Sequence, residues 1–357
     1  AVGNGVTDDP LPVQAAIDAV GWGGGGTVLY PGGNYLLNTP QDSDGSNHHV
    51  LFIGWDNMTL RGQSGAVLTS TANLAGGQTL SVGGMVKSTS PATRPTSFFT
   101  QKWYVFPTAA QFYSLSGTST RGTTTLTLVT ASDANHFAAG DYILVRTGNC
   151  TGGTSTTEPD SEIQIVSAVD AGLGTLTLQR PLIKTYVQEY FISGTGGKTS
   201  ASVTANPAIY GVANVTDRTI ENFTIRDLEI HGSTTDGFLL NHQIFGMLVE
   251  NVIFTGRNFT SENNVRQLIC RNSYETHTQP TVDTSFLCEG ATGVSDVLVD
   301  GNTFSGPGFV HIHEGVANYR LSNNIIDITS QTNSFGDLSI HARGYNIQVR
   351  GNYINSP

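Results

Sequence analysis

A ten-residue segment, FTIRDLEIHG (residues 223–232), sets the pattern for the C-terminal half of the chain. Apolar and polar residues alternate in it for about four positions, a polar or charged residue breaks the run, and a second short apolar stretch follows. Five further copies come after it: MLVENVIFTG from Met247, QLICRNSYET from Gln267, VLVDGNTFSG from Val297, YRLSNNIIDI from Tyr319 and IQVRGNYINS from Ile347. Their starts are 24, 20, 30, 22 and 28 residues apart (247−223, 267−247, 297−267, 319−297, 347−319). A period of about 20 to 30 residues with one or two strands per unit predicts a β-solenoid.

The repeat has a physical reason, because one coil cannot bury its apolar face alone, whereas stacked coils share one interior. Asparagines follow the repeated strands where the chain must turn, and Asn tolerates left-handed backbone geometry. We expect them to form the turns and to ladder along the axis: Asn251, Asn272, Asn302, Asn323, Asn324 and Asn352. Blades of about 40 residues or helical periodicity would indicate a propeller or an α-solenoid, and neither pattern is present. An irregular β-sandwich is the remaining alternative.

Composition narrows the class of partner. The 357 residues include 42 Gly and only 13% charged residues, which is typical of a turn-rich all-β protein. Lys and Arg total 17 against 28 Asp and Glu, and the net charge of −11 argues against nucleic acid or an anionic membrane surface as partner. No apolar run reaches the length of a membrane span. The chain begins at Ala1 rather than Met, which fits the removal of either a signal peptide or a tag.

The first forty residues carry a second signal. GNGVTDD (residues 3–9) leads into an amphipathic helix, VQAAIDAV (13–20), followed by GGGG (23–26) and the strand TVLYP (27–31). Asp8 and Asp9 stand where carboxylates cap a helix N-terminus.

This stretch resembles the amino-terminal cap of the pectate-lyase superfamily of right-handed parallel β-helices, and departs from that pattern at residues 9–12. The resemblance implies an all-β, right-handed parallel β-helix whose helical cap hides the edge strands at one end. It also implies action on polysaccharides, but no particular reaction.

Between the early and late coils the pattern changes. From about residue 111 to 182, longer alternating strands are joined by Gly-, Asp- and Thr-rich turns, which predicts an inserted antiparallel β-module. The predicted organisation is therefore 1–110 for the cap and first coils, 111–182 for the insertion and 183–357 for the remaining coils. Ahead of the insertion, an aromatic cluster includes Trp103 and Tyr104. These rings either stack on sugar or pack as a loop over the solenoid.

The chemistry is expected on a second strand that precedes each late repeat. These strands are GFLLNHQ (237–243), NFTSENN (258–264), SFLCEG (285–290), FVHIHEG (309–315) and LSIHARG (338–344). Since side chains alternate faces along a strand, placing the apolar residues inward leaves a polar strip outward. The strip consists of Asn241 or His242, Glu262, Glu289, His311, His313, Glu314, His341 and Arg343. It holds four of the nine histidines, and His is the side chain best suited to move protons near neutral pH.

Three interpretations of the strip remain open: a catalytic groove, a sugar-binding surface without catalysis, or a structural ladder. Metal binding is a further alternative, because His311 and His313 share a face and His341 could supply a third ligand. The Asp cluster of Ca²⁺-dependent pectate lyases is absent from the sequence, although Ca²⁺ stays a candidate cofactor.

Two reaction routes fit the catalytic interpretation. In a lyase, His313 or His311 would remove the proton next to a uronate carboxylate, Arg343 would neutralise that carboxylate, and His341 or a Tyr would protonate the leaving oxygen. In a hydrolase, Glu289 with Glu314 about one coil apart suits retention, and Glu262 with Glu314 suits inversion.

The family motifs favour no single enzyme. TTDG (234–237) resembles the NTDG of polygalacturonases, but the later Asp pair and GHG are missing. The Asp-Pro-His-Glu signature of alginate epimerases is matched only in its last two letters, at His313 and Glu314. We therefore predict a secreted enzyme that cleaves a uronate polysaccharide by β-elimination. A glycoside hydrolase, a viral tail-spike depolymerase and a non-catalytic carbohydrate-binding β-helix are the alternatives, and the protein is expected as a monomer or a homotrimer.

Overall fold

The chain folds as a parallel β-helix with a helix at its N-terminal end and an antiparallel sheet on one side. The computed structural model describes residues 1–43, 48–71, 78–83, 113–146, 161–186, 211–214, 216, 219–232, 237–256, 258–259, 263–277, 293–307, 310–312, 316–329, 340–342 and 344–355. Its strands pair in parallel from coil to coil, and the predicted fold class is confirmed.

Three faces, which we call the first, second and third sheets, form the wall of the β-helix. The second sheet contains β2 (Gly26–Tyr30), β6 (Met58–Gly62), β15 (Ile220–Arg226), the later half of β17 (Gly237–Glu250), β20 (Asn263–Arg271), β22 (Ser295–Asp300), β25 (Ala317–Ser322) and β28 (Tyr345–Arg350). The third sheet contains β1 (Asn4–Asp8), β3 (Gly33–Leu36), β7 (Ala66–Thr69), β16 (Glu229–His231), β18 (Ile253–Gly256), β21 (Tyr274–His277), β23 (Thr303–Gly306), β26 (Ile325–Ile328) and β29 (Tyr353–Asn355).

The first sheet is formed by strands that come just before a strand of the second sheet along the chain. They are β5 (His48–Ile53), the early half of β17 and β19 (Asn258–Phe259), and β8 (Gln78–Gly83) pairs with both β5 and β17. β24 (Val310–Ile312) and β27 (Ile340–Ala342) pair with each other as a separate two-stranded sheet among the described residues, and we group them with this face because they come just before β25 and β28. The short β4 (Asp42–Ser43) pairs antiparallel with β5. All three faces enclose one hydrophobic core, to which Val310 and Ile312 of β24 belong.

The core is a set of stacks in which each coil contributes one residue per position. One stack runs through the second sheet along the observed register, and all its members are fully buried: Leu60, Ile225, Val249, Cys270, Val299 and Leu321. Stacking removes apolar surface from water at each level, which stabilises the fold by about 25 cal/mol per Å². This is the shared interior that the sequence repeat predicts.

The register corrects one of the six predicted repeats. Met247 pairs with Leu268, and Leu268 pairs with Val297, so the third copy begins at Leu268 and not at Gln267. The spacings on its two sides are therefore 21 and 29 residues (268−247 and 297−268) instead of 20 and 30. A shift of one residue along a strand exchanges inward and outward side chains. In the third copy, residues after the turn therefore point to the opposite side of the wall from the one that the alignment of the six copies implies.

Left-handed residues fix this register. In the six repeated coils, two residues with positive φ lie five positions apart, the first within the second-sheet strand and the second directly after its last residue. The pairs are Asn222 and Asp227, Gly246 and Asn251, Gln267 and Asn272, Asp296 and Gly301, Asn318 and Asn323, and Asn346 and Gly351. Gly, Asn and Asp tolerate this conformation at low cost, which explains the composition of the turns.

The turn asparagines divide into two groups with different roles. Asn251, Asn272 and Asn323 adopt the left-handed conformation, as predicted. The other three form the predicted ladder inside the wall. Asn302 Nδ2 donates to Asn324 Oδ1 at 3.1 Å, and Asn324 Nδ2 donates to Asn352 Oδ1 at 2.9 Å. Each amide thus satisfies polar groups that the turn would otherwise leave buried without a partner.

The helix α1 (Pro10–Trp22) closes the N-terminal end. Val13 and Ile17 are buried in the shared core, and the Gln14 amide exchanges two hydrogen bonds with the backbone of Phe52 in β5, at 2.9 and 3.0 Å. The Gln14 side chain thereby takes the place of a neighbouring strand at this edge. In the described part of the chain, no helix has the length and apolar character needed to span a membrane.

The predicted capping of α1 by side-chain carboxylates is wrong. Asp9 is the N-cap residue, but its side chain accepts hydrogen bonds from the Val2 and Gly3 amides, and Asp8 accepts from Asn38 and Thr39. A capping side chain bonds the amide of the second or third helical residue. Here the third helical residue is Pro12, which has no N–H. The two carboxylates instead hold the backbone on either side of them, at residues 2–3 and 38–39.

The inserted sheet is antiparallel and has a core of its own. It contains β9 (Tyr113–Ser114), β10 (Thr125–Thr127), β11 (Tyr142–Arg146), β12 (Ser161–Asp170), β13 (Thr175–Leu178) and β14 (Gly211–Asn214), with a 3₁₀ helix at Ala131–His136. Leu126, Val166 and Leu176 are fully buried there, away from the β-helix core. β14 pairs in this sheet although it lies beyond residue 182; the division into three domains stays a prediction.

Candidate functional site

Two of the predicted catalytic histidines occupy paired positions on the first sheet. β24 and β27 run parallel, and His311 pairs with His341 in their register. The flanking Val310 and Ile312 are buried at 1% and 0% exposure. Adjacent parallel strands lie about 4.8 Å apart, so the two histidine backbones are close neighbours. An outward direction of both side chains stays a prediction from the alternation.

The predicted substrate-binding pair lies several coils earlier, in β17. Asn241 pairs with Val82, and His242 pairs with Gly83 on one side and Asn263 on the other. Both residues belong to the early half of β17. That these positions share one face with His311 and His341 stays a prediction, since β17 and β24 are not paired among the described residues.

The remaining predicted site residues lie outside the described part of the chain: Trp103, Tyr104, Glu262, Glu289, His313, Glu314 and Arg343. Their roles stay predictions. Among the residues that the structure does describe, no group of three or more His, Cys, Asp or Glu side chains is arranged to hold a metal ion. A site formed by His311, His313 and His341, or a bound Ca²⁺, is a matter for experiment.

The inserted sheet packs along one column of the second sheet, directly beyond the first-sheet strands. The column follows the register through Glu221, Phe245, Arg266, Ser295, Ala317 and Tyr345. At its beginning, the Tyr142 ring meets Phe245 edge-to-face at 5.4 Å. Burial raises the pKa of Tyr142, and the charge and hydrogen bond of Glu221 and the charge of Asp56 raise it further. The Tyr142 hydroxyl therefore stays protonated and can donate a hydrogen bond.

A buried polar network anchors the middle of this contact. Arg266 donates from Nε to Asp296 Oδ2 at 3.0 Å and from Nη1 to the backbone oxygen of Ile163. Glu162 is fully buried and accepts from the amides of Ile183 at 3.0 Å and Lys184 at 3.2 Å. Burial raises the pKa of Glu162, while the hydrogen bond from Gln164 and the charges of Arg266 and Lys184 act in the opposite direction. Buried charges require such partners.

The anchor lies next to the first sheet. Ser161 Oγ donates to Asn264 Oδ1 at 2.8 Å, and Asn264 directly follows Asn263, the register partner of His242. Gly293 leaves the room for this contact, since a Cβ there would lie 2.4 Å from both Ser161 Oγ and Asn264 Oδ1. The inserted sheet therefore forms a fixed border beside the strand position of His242.

Sequence reasoning did not identify Arg266 and Asn264 as anchors of this border. A signal was present for Arg266, because its two direct neighbours in the column, Phe245 and Ser295, are uncharged. An isolated charge in such a column indicates a specific partner. Recognising it requires the register, which depends on the left-handed positions and not on the apolar pattern alone.

Comparison with known proteins gives short sequence matches and low structural similarity. No protein-family model matches the chain. A segment of 94 residues, 25% of the chain, is 36% identical to mannuronan C5-epimerase AlgE1 of Azotobacter vinelandii, and 60 residues are 45% identical to AlgE2 of the same organism. Each match spans only 6% of the epimerase.

Among solved structures, tailspike gp49 of Pseudomonas phage LKA1 aligns with 95% of this chain and 48% of its own, at 15% identity and a TM-score of 0.44. Tailspike gp61 of Pseudomonas phage phi297 aligns with 98% and 68%, at 13% identity and a TM-score of 0.44. At these scores the β-helix assignment depends on the strand pairing of the chain itself.

Proposed function

We propose that the protein acts on an extracellular polysaccharide that contains uronic acid, and that it removes the proton at C5 of a uronate unit. The observation that carries this proposal is the pairing of His311 with His341 on adjacent strands of the first sheet. Two imidazoles one strand apart can serve as proton acceptor and proton donor near neutral pH. The sequence matches to two enzymes named for mannuronan, a uronate polymer, support the substrate class.

In the proposed lyase reaction, His313 or His311 takes the C5 proton and Arg343 neutralises the adjacent carboxylate. The electron pair of the C5–H bond forms a C4=C5 double bond, and the C4–O bond to the leaving sugar breaks. His341 or a nearby Tyr protonates the leaving oxygen. We prefer elimination to hydrolysis because the predicted strip is richer in His and Arg than in closely spaced acids.

Epimerisation is the second candidate, and the matches to mannuronan C5-epimerases favour it. It begins with the same C5 proton removal, but a proton returns to the opposite face of C5 and no glycosidic bond breaks. The same residues could therefore serve both reactions. Which one occurs depends on whether the leaving oxygen or C5 receives the proton.

A substrate panel distinguishes these reactions. Pectate, alginate, glucuronan and a neutral glucan are incubated with the protein and examined for ultraviolet absorbance, new reducing ends and changes in the proton NMR spectrum. Absorbance of an unsaturated uronate together with reducing ends is the expected result. A changed C5 configuration without chain cleavage identifies an epimerase. Reducing ends without absorbance move the assignment to Glu262, Glu289 and Glu314 as hydrolytic acids, and no change on any uronate polymer overturns the proposal.

Variants at the paired histidines test the site. We expect His311→Ala and His341→Ala each to lower the rate on the active polymer by about 10²- to 10⁴-fold, the usual contribution of a general acid or base. His231→Ala is the matched control, because His231 is half-exposed on the third sheet. Full activity of both variants would exclude this pair from the mechanism.

The assembly state is part of the proposal. A homotrimer would fit a tail-spike depolymerase, and a monomer would fit a free enzyme. Light scattering of the intact protein measures the mass directly, and resistance of a trimer to SDS would support the tail-spike alternative.

A further inference from the structure

A concave notch lies on the opposite side of the second sheet from the inserted sheet, at the turns into the third sheet. In the register, Arg61 pairs with Arg226 and Val67 pairs with Glu229. Five residues (62–66) separate Arg61 from Val67 along the chain, whereas only two separate Arg226 from Glu229. We call this longer turn, residues 62–66, the ledge, because it extends beyond the shorter turn of the neighbouring coil. A hydrogen bond from Ala66 N to Gln63 O, 2.9 Å long, closes the turn. The space between has a volume of about 690 Å³, within the roughly 300–1,000 Å³ typical of small-molecule sites.

The walls of the notch combine polar groups with two exposed aliphatic side chains. Arg61, Gln63, Asp227, Glu229 and Asn251 line it, together with Leu29 and Ile253. Leu29 pairs with Arg61 in the register and is 48% exposed, and Ile253 is 46% exposed. Apolar surface of this kind, left open beside hydrogen-bonding groups, is typical of ligand sites.

Several polar atoms in the notch keep unused hydrogen-bonding capacity. Arg61 Nε donates to Asp227 Oδ2 at 3.1 Å, and in the described chain no group accepts from its two Nη atoms. Glu229 Oε1 is bonded to His231 Nε2 at 2.7 Å, and Asn251 Nδ2 donates to Asp227 Oδ1 at 2.9 Å. Oε2 of Glu229 and Oδ1 of Asn251 have no partner among the described residues. The notch thus presents two donors and two acceptors at once.

The electrostatics of the notch disfavour an anionic ligand. The hydrogen bond from Asn251, followed by the hydrogen bond and charge of Arg226 and the hydrogen bond from Arg61, keeps the pKa of Asp227 below its usual value. Asp227 therefore stays ionised through the neutral range. Arg61 and Arg226 each form an ion pair with Asp227 at 3.1 Å, and their two charges are balanced by those of Asp227 and Glu229. No surplus of positive charge is therefore left to attract an incoming carboxylate.

We propose that this notch is a second saccharide-binding site, which takes a neutral hexopyranose unit and lies apart from the predicted site on the first sheet. Vicinal hydroxyls of a pyranose both donate and accept, which matches the Nη atoms of Arg61 and the free oxygens of Glu229 and Asn251. The C–H face of the ring packs on Ile253, which pairs with Glu229 in the register. Such a site would hold a polysaccharide that also contains neutral sugars.

Binding is tested by saturation-transfer NMR titration of the intact protein with methyl glucopyranoside, methyl mannopyranoside and methyl galactopyranoside. Saturable binding of at least one is expected, and methyl glucopyranosiduronate should bind more weakly than its neutral counterpart. Arg61→Met should raise the Kd about tenfold, the effect of losing a hydrogen bond to a charged group. Arg271→Met is the matched control, because Arg271 belongs to the same column, forms an ion pair with Glu250 and is exposed to a similar degree, 48% against 52%.

A second variant guards against misfolding of the first. Gln63→Ala changes only an exposed ledge side chain and should weaken binding several-fold. Absence of saturation with all three neutral sugars, equal affinity of the Arg61 and Arg271 variants, or tighter binding of the uronide would each overturn the proposal. His311→Ala should bind the methyl glycoside normally. The binding assay requires no turnover, so a negative result would overturn the notch proposal but not the proposed reaction. In the same way, a substrate panel without any reaction would not affect the binding test.

Discussion

Two Glu-X-His segments of the third sheet have the same spacing and the same contact but opposite surroundings. In β16, Glu229 and His231 are 2.7 Å apart, with side chains 41% and 44% exposed. In β21, Glu275 and His277 are also 2.7 Å apart, but their side chains are 4% and 0% exposed. One pair lies on the outer surface and the other inside the β-helix. The same Glu-X-His spacing therefore does not determine which side of the wall a residue occupies.

The difference originates in the register. Ile230 pairs with Phe254, and Phe254 pairs with Glu275, so Glu275 takes an inward position that the neighbouring coils fill with apolar residues. The next coil places Phe304 beside Glu275, and the carboxylate therefore lies between two aromatic side chains. A single-residue offset along the chain is enough to exchange the two faces.

The largest expected effect comes from breaking the buried pair. Glu275→Ala leaves the His277 imidazole in the core without this carboxylate, and we expect the free energy of unfolding to fall by about 3–5 kcal/mol. Urea denaturation followed by circular dichroism measures the change. A loss below about 1 kcal/mol would show that the buried pair contributes no more than a surface pair.

The second prediction concerns the residue that sets the register. Gln267 adopts a left-handed conformation with φ of 61°, which a β-branched side chain strongly disfavours. Gln267→Val should destabilise the protein by about 1–3 kcal/mol, measured by the same denaturation. Gln267→Gly is the control, since it removes the same side chain but accepts the backbone; equal losses in both variants would refute the conformational explanation.

The buried pair can also be replaced instead of broken. Glu275→Leu combined with His277→Leu fills the interior with apolar groups, and we expect stability within about 1 kcal/mol of the original protein. Because the single Glu275→Ala change is expected to be far more damaging, thermal unfolding of both variants side by side gives the contrast. A double variant less stable than Glu275→Ala would mean that the pair itself is required for packing.

The smallest effect is expected at the surface pair. His231→Ala should change the free energy of unfolding by about 0–1 kcal/mol, because both side chains keep access to water. The measured change should shrink further in high salt, which screens exposed charges. A loss comparable to that of Glu275→Ala would abolish the distinction between the two segments.

The same contrast shows what the sequence could predict. The period, the shared core and the N-terminal helix follow from apolar spacing and turn residues, and these expectations are confirmed. The third repeat was placed one residue early because Gln267 resembles an ordinary strand residue, although it occupies the left-handed position that Asn222 and Gly246 fill in the preceding coils. Aligning the turn residue Asn272 with Asp227 and Asn251 of the preceding coils would have corrected the alignment.

The candidate site shares this dependence on register. Its outward strip was predicted from alternation alone, whereas the burial of Glu275 and His277 shows that polar residues on a strand can also face inward. The observed pairing of His311 with His341 does not depend on that assumption. The partner of Arg266 in the inserted sheet, the backbone of Ile163, was not predicted, because it comes from about a hundred residues earlier in the chain.

The inserted sheet has a consequence for how the coils come apart. In a simple solenoid each coil touches only its neighbours, so an open end can fray one level at a time. Here one rigid element contacts Phe245 near one end of a column, Arg266 in the middle and, through Lys184 at 5.6 Å from its ring centre, Tyr345 in the last coil. The inserted sheet therefore links coils that are not adjacent in the stack. Separating the coil of Tyr345 from the coils before it must therefore also break its contact with the inserted sheet.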